Sequence, residues 1–302
     1  MRPMIRNGVR IDDSFAEAFP MRGTAIIITG PNQRWAKQAA TTMTGFATSV
    51  IGCGAEAGID RELPKKKTPD GRPGVRVLLF SMSSDTLQTQ LVTRIGQCVL
   101  TSPGSACFAD LDGPDRLSIG DSIRYFGDGW QVSKKFGGRH FWRVPVMDGE
   151  FLCEATVGLT KNAVGGGNLL LMGADWKSTM RAAELAVEAM NEVEGVILPF
   201  PGGIVRSGSK VGSKYKTMMA STNDAYCPTL RGAVATSLDE DVGCVLEIVI
   251  DGLTEKAVAD AMRVGIAAIV KLGPENGASR IGAGNYGGKL GPFHFHLKDL
   301  LP

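Results

Sequence analysis

The feature that most constrains this chain is that it repeats itself. A strand pattern over Thr24 to Gly30 is followed by Trp35, Ala39, Met43, Phe46 and Val50 at helical spacing, up to the turn Gly52-Cys53-Gly54. The same order returns 143 residues later. Leu169 to Gly173 reads as a strand, Met180, Ala183, Val187 and Met190 as a helix, and Gly195 as its end, so Gly30 falls on Gly173 and Gly52 on Gly195. Ala55 to Ile59 then leads away in the first copy, and Phe200-Pro-Gly-Gly-Ile204 in the second.

The next half of each copy matches too. Arg76 to Met82 is a strand followed by Leu87, Leu91, Ile95 and Val99 on one helix face. Val245 to Ile250 is a strand followed by Val258, Met262, Ile266 and Ile269, behind a Thr254 cap. Arg94-Ile-Gly96 answers Arg263-Val-Gly265 at an offset of 169. Each copy therefore reads strand–helix–strand twice, the split β-α-β pattern. The expected class is α+β, with two ferredoxin-like lobes related by internal duplication over residues 1–158 and 159–302.

The growth of the offset places extra residues between the second and third strands of the second lobe. They run from Arg206 to Arg231, RSGSKVGSKYKTMMASTNDAYCPTLR. Long polar insertions on a rigid scaffold are where binding and catalysis concentrate. Lys210, Lys214, Tyr215, Ser221, Asn223 and Tyr226 are the side chains expected to line or rim a ligand cleft. The first lobe carries its own addition, a β-rich stretch between Arg116 and Gly158 that contains IRYFGDGW, QVSKKFGGRHFWRVPVM and EFLCEATVG. Turn signals at Gly127-Asp-Gly129 and Gly137-Gly138 give it extra hairpins.

Composition removes several function classes. The net charge is +2 over 302 residues, which gives no field for nucleic acid or an anionic membrane surface. None of the six cysteines forms a Cys-x-x-Cys pair, and His294-x-His296 lacks a third nearby ligand, so an exposed strand is the expected reading there and no metal is expected. No apolar run is long enough to cross a membrane. The expectation is a cytoplasmic, reduced protein. Gly208-Ser-Lys-Val-Gly-Ser-Lys214 has the wrong spacing for a phosphate loop. Gly165-Gly-Gly167 precedes a strand rather than a helix, and the glycines of 282–288 follow no strand-to-helix turn, so neither is a good dinucleotide signal.

One carboxylate stands out. In Cys-Val-Leu-Glu-Ile-Val-Ile, residues 244 to 250, Glu247 shares a strand face with Val245 and Val249. Burial there would raise its pKa and let it give and retake a proton near neutrality. A glutamate on a wet edge, or one paired with a buried arginine, fits the residues alone equally well.

Several strings resemble a known family: Glu17-Ala-Phe-Pro20, Gly45-Phe-Ala-Thr-Ser-Val-Ile51, Ala55-Glu-Ala-Gly-Ile59, Thr68-Pro-Asp-Gly-Arg-Pro-Gly74, Pro199-Phe-Pro-Gly-Gly-Ile-Val205, Ser207-Gly-Ser-Lys-Val-Gly212, Ala220-Ser-Thr-Asn223 and Gly284-Asn-Tyr-Gly-Gly-Lys-Leu-Gly291. Together they resemble formylmethanofuran:tetrahydromethanopterin formyltransferase. The resemblance implies formyl transfer between a methanofuran-type carrier and tetrahydromethanopterin, both bound as substrates, with no metal or prosthetic group. It implies a homotetramer and assigns Glu247 the proton shuttle. Its strings add Pro201, Gly202, Gly203, Ser207, Ser209, Asn285 and Tyr286 as carrier-binding positions. Family members in methylotrophic bacteria work beside an amidohydrolase-like subunit, and the modest net charge leans toward them; formylmethanofuran dehydrogenase-like partners also come with the family. The rival reading is a non-catalytic carrier-binding or scaffold subunit of such a complex.

Overall fold

A computed structural model describes residues 4–301. The first lobe contains β1 (Phe15–Thr29), α1 (Gln33–Thr44), β2 (Glu56–Leu63), β3 (Gly74–Ser81), α2 (Ser84–Arg94) and β4 (Ala106–Ala109). An extension follows: β5 (Val132–Phe136), β6 (Arg139–Val146) and β7 (Gly149–Glu154). The second lobe contains β8 (Thr160–Gly173), α3 (Trp176–Asn191), β9 (Val196–Ile197), β10 (Cys244–Gly252), α4 (Glu255–Leu272) and β11 (Arg280–Gly282). The strand β12 (Phe293–His296) comes last and pairs with the start of β1.

In the first lobe the antiparallel order is β4-β1-β3-β2. In the second it is β11-β8-β10-β9. Both are the fourth-first-third-second order of a split β-α-β unit, so the repeat expected from the offsets is present in the topology. Each lobe buries its helices on its sheet. Ala36, Ala39, Ala40 and Met43 of α1 and Leu87 and Leu91 of α2 pack on Ile26, Ile28, Val75 and Val77. Ala182, Ala183, Ala186 and Met190 of α3 and Val258, Met262, Ile266 and Ile269 of α4 pack on Leu169, Leu171, Ile248 and Ile250.

The two lobes share one sheet. The first strands of the copies, β1 and β8, are long and pair with each other near their starts, Pro20 opposite Val164 and Met21 opposite Ala163. The 143-residue offset carries Pro20 to Ala163 and Met21 to Val164, so the pairing maps onto itself when the lobes are exchanged. A small core of Met21, Ala25, Leu78, Phe80, Ala163 and Ile197 fills the seam. Asp60 of β2 reinforces it by accepting from the Gly195 N–H at 3.2 Å.

The structure departs from the sequence expectations in four places. The helix foreseen from Trp35 to Val50 stops at Thr44, and a separate short helix spans Val50–Cys53. Arg94 explains the break: its guanidinium takes the carbonyls of Met43, Gly45 and Phe46, which turns the chain out and leaves Phe46 in left-handed backbone and exposed. The segment Phe200 to Ile204 is a single helical turn over Pro201–Gly203, and the second strand of that lobe lies earlier, at β9. IRYFGDGW opens helical: Ile123 ends the short helix Gly120–Ile123 and Arg124–Gly127 adds a further turn, held as Arg124 lies over the rings of Tyr125 and Trp142 and the Trp142 N–H reaches Asp121. Gly165 to Gly167 lie inside β8 rather than before a strand.

These glycines let β8 pass close to its neighbours. A Cβ on Gly167 would stand 2.4 Å from Val258 Cγ1. Gly167→Ala is therefore expected to lower unfolding free energy by about 1–3 kcal/mol through overpacking. Gly52→Ala, which meets nothing, is expected to change it by less than about 1 kcal/mol. Urea titration of both variants checks the contrast.

Candidate functional site

A cavity of about 660 Å³ opens between the lobes, a size suited to a bulky organic ligand. Its floor is the cavity-facing side of β10. Leu246, Ile248 and Ile250 point into the second-lobe core, and Val245, Glu247 and Val249 line the cavity. Glu247 lies between two backbone neighbours, Leu170 on β8 and Val205 on the other side. Val205 both donates to and accepts from the Glu247 backbone, at 2.7 and 2.9 Å. The side chain is thus carried on a rigid central strand.

The Glu247 carboxyl is raised from an ordinary value of 4.5 to about 7, and burial is the cause. Among the described residues no cation or hydrogen-bond donor offsets that burial, so the arginine-paired alternative does not hold. Tyr286 stands nearby: burial pushes its phenol up, and the Glu247 charge adds to the shift, while a hydrogen bond with Ser209 opposes it. The phenol is therefore a hydrogen-bond donor at neutral pH.

The wall that holds Tyr286 depends on Glu17, a carboxylate that is only 1% exposed. The backbone N–H groups of Tyr286, Gly288, Leu290 and Gly291 donate to it at 2.6, 2.8, 2.6 and 2.7 Å. Burial opposes its ionisation, but the four donors outweigh it and bring the pKa from 4.5 to about 2. Gly287 and Gly288 have φ of +76° and +70°, and this backbone lets the loop curl around the anion. Asn168 pins the same loop, with Nδ2 donating to the Gly166 and Gly284 carbonyls and Oδ1 accepting from Gly284 N–H at 2.6 Å.

Of the expected site residues, Glu247, Ser207, Ser209, Lys210, Asn223, Tyr226, Asn285 and Tyr286 line this one cavity. Pro201, Gly202, Gly203, Lys214, Tyr215 and Ser221 are not in its lining. Gly203 is buried beside Val187 and Leu198, and Gly202 faces open space. Ser221 donates to the Gly212 carbonyl inside the small ladder of Lys210–Val211 with Ala220–Ser221. Tyr215 is 73% exposed. Lys210 is paired with Asp224 at 2.7 Å. Sequence reasoning missed the first-lobe wall, Ser49, Val50, Ile51, Glu56 and Met82, and also Arg206 and Asn168. It also missed Glu17, although Phe-Ala-Glu-Ala-Phe sets a carboxylate among apolar neighbours just as the Glu247 strand does. Among the described residues no group of three His, Cys, Asp or Glu side chains is arranged to hold a metal, and no helix is long and apolar enough to cross a membrane.

Fold and site together define a two-lobed α+β protein whose cleft presents an unpaired, near-neutral acid to a large ligand. Comparison with known proteins agrees with that class. The family model described as formylmethanofuran-tetrahydromethanopterin formyltransferase matches residues 4–146, and one described as "FTR, proximal lobe" matches 149–300. The formylmethanofuran–tetrahydromethanopterin formyltransferase of Methylococcus capsulatus is 59% identical over 99% of this chain and 100% of its own. One component of the formyltransferase/hydrolase complex of Methylorubrum extorquens is 58% identical over 98% of this chain and 96% of its own. A crystal structure of that organism's formyltransferase/hydrolase complex with methylofuran contains a chain that superposes with a TM-score of 0.98 at 56% identity, covering 100% of this chain and 99% of that one. The Methanosarcina barkeri formyltransferase superposes at 0.92 with 45% identity over 98% and 100%. The chain belongs to the formylmethanofuran–tetrahydromethanopterin formyltransferase family and is a transferase.

Glu17→Gln leaves one carbonyl oxygen for four donors and turns an amino group toward two of them. It is expected to destabilise the fold by roughly 1–3 kcal/mol at pH 7. Because the native pKa is depressed, the Glu17 contribution is complete above about 4.5 and is lost as pH falls through about 2. Denaturant melts from pH 6 downward are expected to show the gap between wild type and variant closing below pH 4.5.

Proposed function

We propose that the chain transfers a formyl group between a formylmethanofuran-type carrier and tetrahydromethanopterin, with Glu247 as proton shuttle. The names of its relatives support the two carriers, including the bound methylofuran of the Methylorubrum extorquens complex. The observation that carries the residue assignment is the Glu247 carboxyl, unpaired, set on a rigid strand at the cleft floor and poised near pH 7.

The acceptor amine attacks the formyl carbon, and the carbonyl electrons move to oxygen in a tetrahedral intermediate. Glu247 as carboxylate takes the proton from the attacking nitrogen, then as acid delivers it to the leaving nitrogen as the C–N bond breaks. One proton is taken and one returned, so Glu247 ends as it began. An acid with pKa near the working pH suits both half-steps. The hydroxyls of Tyr286 and Ser209 and the Asn223 amide lie on the same cavity wall and are the donors we assign to the oxyanion. Arg206 on the cavity lining suits an acidic carrier tail, and Lys210 beside it would reach the tail by exchanging its Asp224 partner. The segment 206–231 is then the carrier-binding insert of the second lobe.

The same reading extends to assembly. Tyr125, Phe126, Trp130, Phe136 and Met147, on or beside the first-lobe extension, are strongly exposed, as befits an interface between protomers. We assign the chain to a cytoplasmic homotetramer that also joins amidohydrolase-like and formylmethanofuran dehydrogenase-like subunits; the Methylorubrum extorquens relative, named as part of a formyltransferase/hydrolase complex, supports such an assembly. We propose the repeats 1–158 and 159–302 as its two structural units; the family descriptions divide at 146 and 149, and Val9, Ile11, Ala16 and Ala18 lend their side chains to the second-lobe core. A scaffold-only role predicts carrier binding without turnover, which a spectroscopic transfer assay on the purified chain tests directly.

Glu247→Gln is expected to lower turnover by about 10²–10⁴-fold with little change in carrier binding. The native pKa is raised, so the ionisation cost grows from pH 4.5 and is complete above about 7. The variant is therefore expected to be more stable than wild type at pH 8, by up to about 3 kcal/mol. Near-normal turnover in a folded variant defeats the assignment. Among the lysines, Lys210→Ala is expected to raise the Michaelis constant for the furan carrier, and Lys214→Ala to leave it unchanged; steady-state kinetics with both carriers decide.

A further inference from the structure

The strand face that carries Glu247 ends in a second acid. Asp251 is wholly buried. Its Oδ1 accepts from the Gly166 N–H at 3.1 Å, while among the described residues its Oδ2 has no conventional donor within reach. Across the sheet Asp251 lies opposite Ile197, whose side chain packs on Gly58 of the other lobe, two residues from Glu56, and the Glu56 carboxyl is the charged group that acts on Asp251. Glu56 is 7% exposed, and its Oε1 accepts from the Val50 N–H at 2.9 Å. Glu56, Ser49, Val50, Ile51, Gly165 and Gly166 all line the cleft.

Two carboxylates facing each other in a dry site cannot both be ionised. One hydrogen between them turns repulsion into a strong O–H···O bond and gives Oδ2 its partner. Burial first, and then the Glu56 charge, hold Asp251 well above the ordinary carboxylate range. The charged groups on neighbouring elements are engaged elsewhere. Lys161 of β8 pairs with Asp115, and Arg22 of β1 donates to the Lys161 carbonyl. Glu17 of β1 is held by its loop. Asp60, Arg61 and Arg76 of β2 and β3 pair with one another and with Glu194 and Asp110, and Glu62 pairs with Lys37. Beyond β10, Lys256 and Arg263 of α4 pair with Asp260. Among the described residues no cation pairs with Asp251 or Glu56.

We propose that Asp251 and Glu56, sharing one hydrogen across the lobe boundary, are positioning residues for the cleft: through Gly166 and Val50 they set its floor against its first-lobe wall. The inference rests on reading the cleft as the place of formyl transfer. It assigns neither residue to the chemical step. The pair needs one hydrogen between its two groups. Asp251→Asn and Glu56→Gln each supply that hydrogen from an amide. The double variant places two amides together and leaves a buried N–H without an acceptor.

The test uses the full chain in four forms: wild type, each single variant and the double. Hydrogen–deuterium exchange is read over residues 49–53 and 163–167 without carriers. Protection is expected to persist in both singles and to fall by tenfold or more in the double. In steady-state transfer, Asp251→Asn, whose side chain is off the cavity lining, is expected to keep Michaelis constants within about threefold of wild type, and the double to raise at least one by tenfold or more with turnover within about threefold. An infrared band of a protonated carboxylic acid at pH 8 is expected in the Glu247→Gln background and is expected to disappear when Asp251→Asn is added. Wild-type protection and kinetics in the double overturn the proposal, as does a single variant impaired as badly as the double. If the double does not fold, the infrared arm decides, and absence of the band in the Glu247→Gln protein overturns the idea. If the wild-type chain moves no formyl group, the functional reading fails by itself, and exchange and infrared still judge the pair.

Discussion

Everything at the cleft hangs on the ladder between the two longest strands, Phe15–Thr29 and Thr160–Gly173. Each is the first strand of its own lobe, and each extends beyond that lobe to meet the other. Because the pairing maps onto itself under the internal repeat, one stretch of chain serves both copies. It places Glu17 and Phe19 on one side of the seam and Gly165, Gly166 and Asn168 on the other, all on the cavity lining. The price is steric: the crossing leaves no room for a Cβ at Gly165, which would run into Met21 Sδ.

Two glutamates on this frame show how surroundings set chemistry. Glu17 and Glu247 both sit on strands with apolar neighbours. Glu17 receives four backbone N–H groups and is an anion at any ordinary pH. Glu247 receives none and is half-protonated near neutrality. Burial penalises the charge of both, and the donors decide the outcome. The first is a structural anion that organises a loop, and the second is free to exchange its proton. The glycine-rich 284–291 loop thus carries an anion site already filled by its own chain, which explains why its glycines imitate a nucleotide signal without being one.

The repeat was legible in the sequence because glycine positions and helical apolar spacing survive duplication, and they report local backbone demands. The Glu247 strand was legible for the same reason: period two puts its carboxylate with valines. What stayed hidden depends on contacts between distant residues. Arg94 ends α1 by capturing carbonyls about fifty positions away, and no window around Thr44 contains that fact. The helical turn at Arg124 rests on stacking against Trp142, beyond any local propensity. One wall of the cleft comes from the first lobe, and the spacing of the second-lobe insert carries no trace of it. Lys214 and Tyr215 illustrate the converse: a polar insert was recognisable as such, but which of its residues turn inward is settled by the short Lys210–Val211 ladder.

The seam has a consequence for motion. Domains that close over a ligand swing about a few residues with little holding them across the gap. Here the axis of any swing would run through a hydrogen-bonded β-ladder and a filled apolar seam, so the jaws have a set width. The parts of the lining outside the sheet, above all the segment after Val205, where regular structure is sparse, lie outside that constraint. A cleft of this kind is a fixed vise with a soft cheek: the ladder holds the geometry at the acid, and the stretch beside it is the part of the lining least tied into sheet.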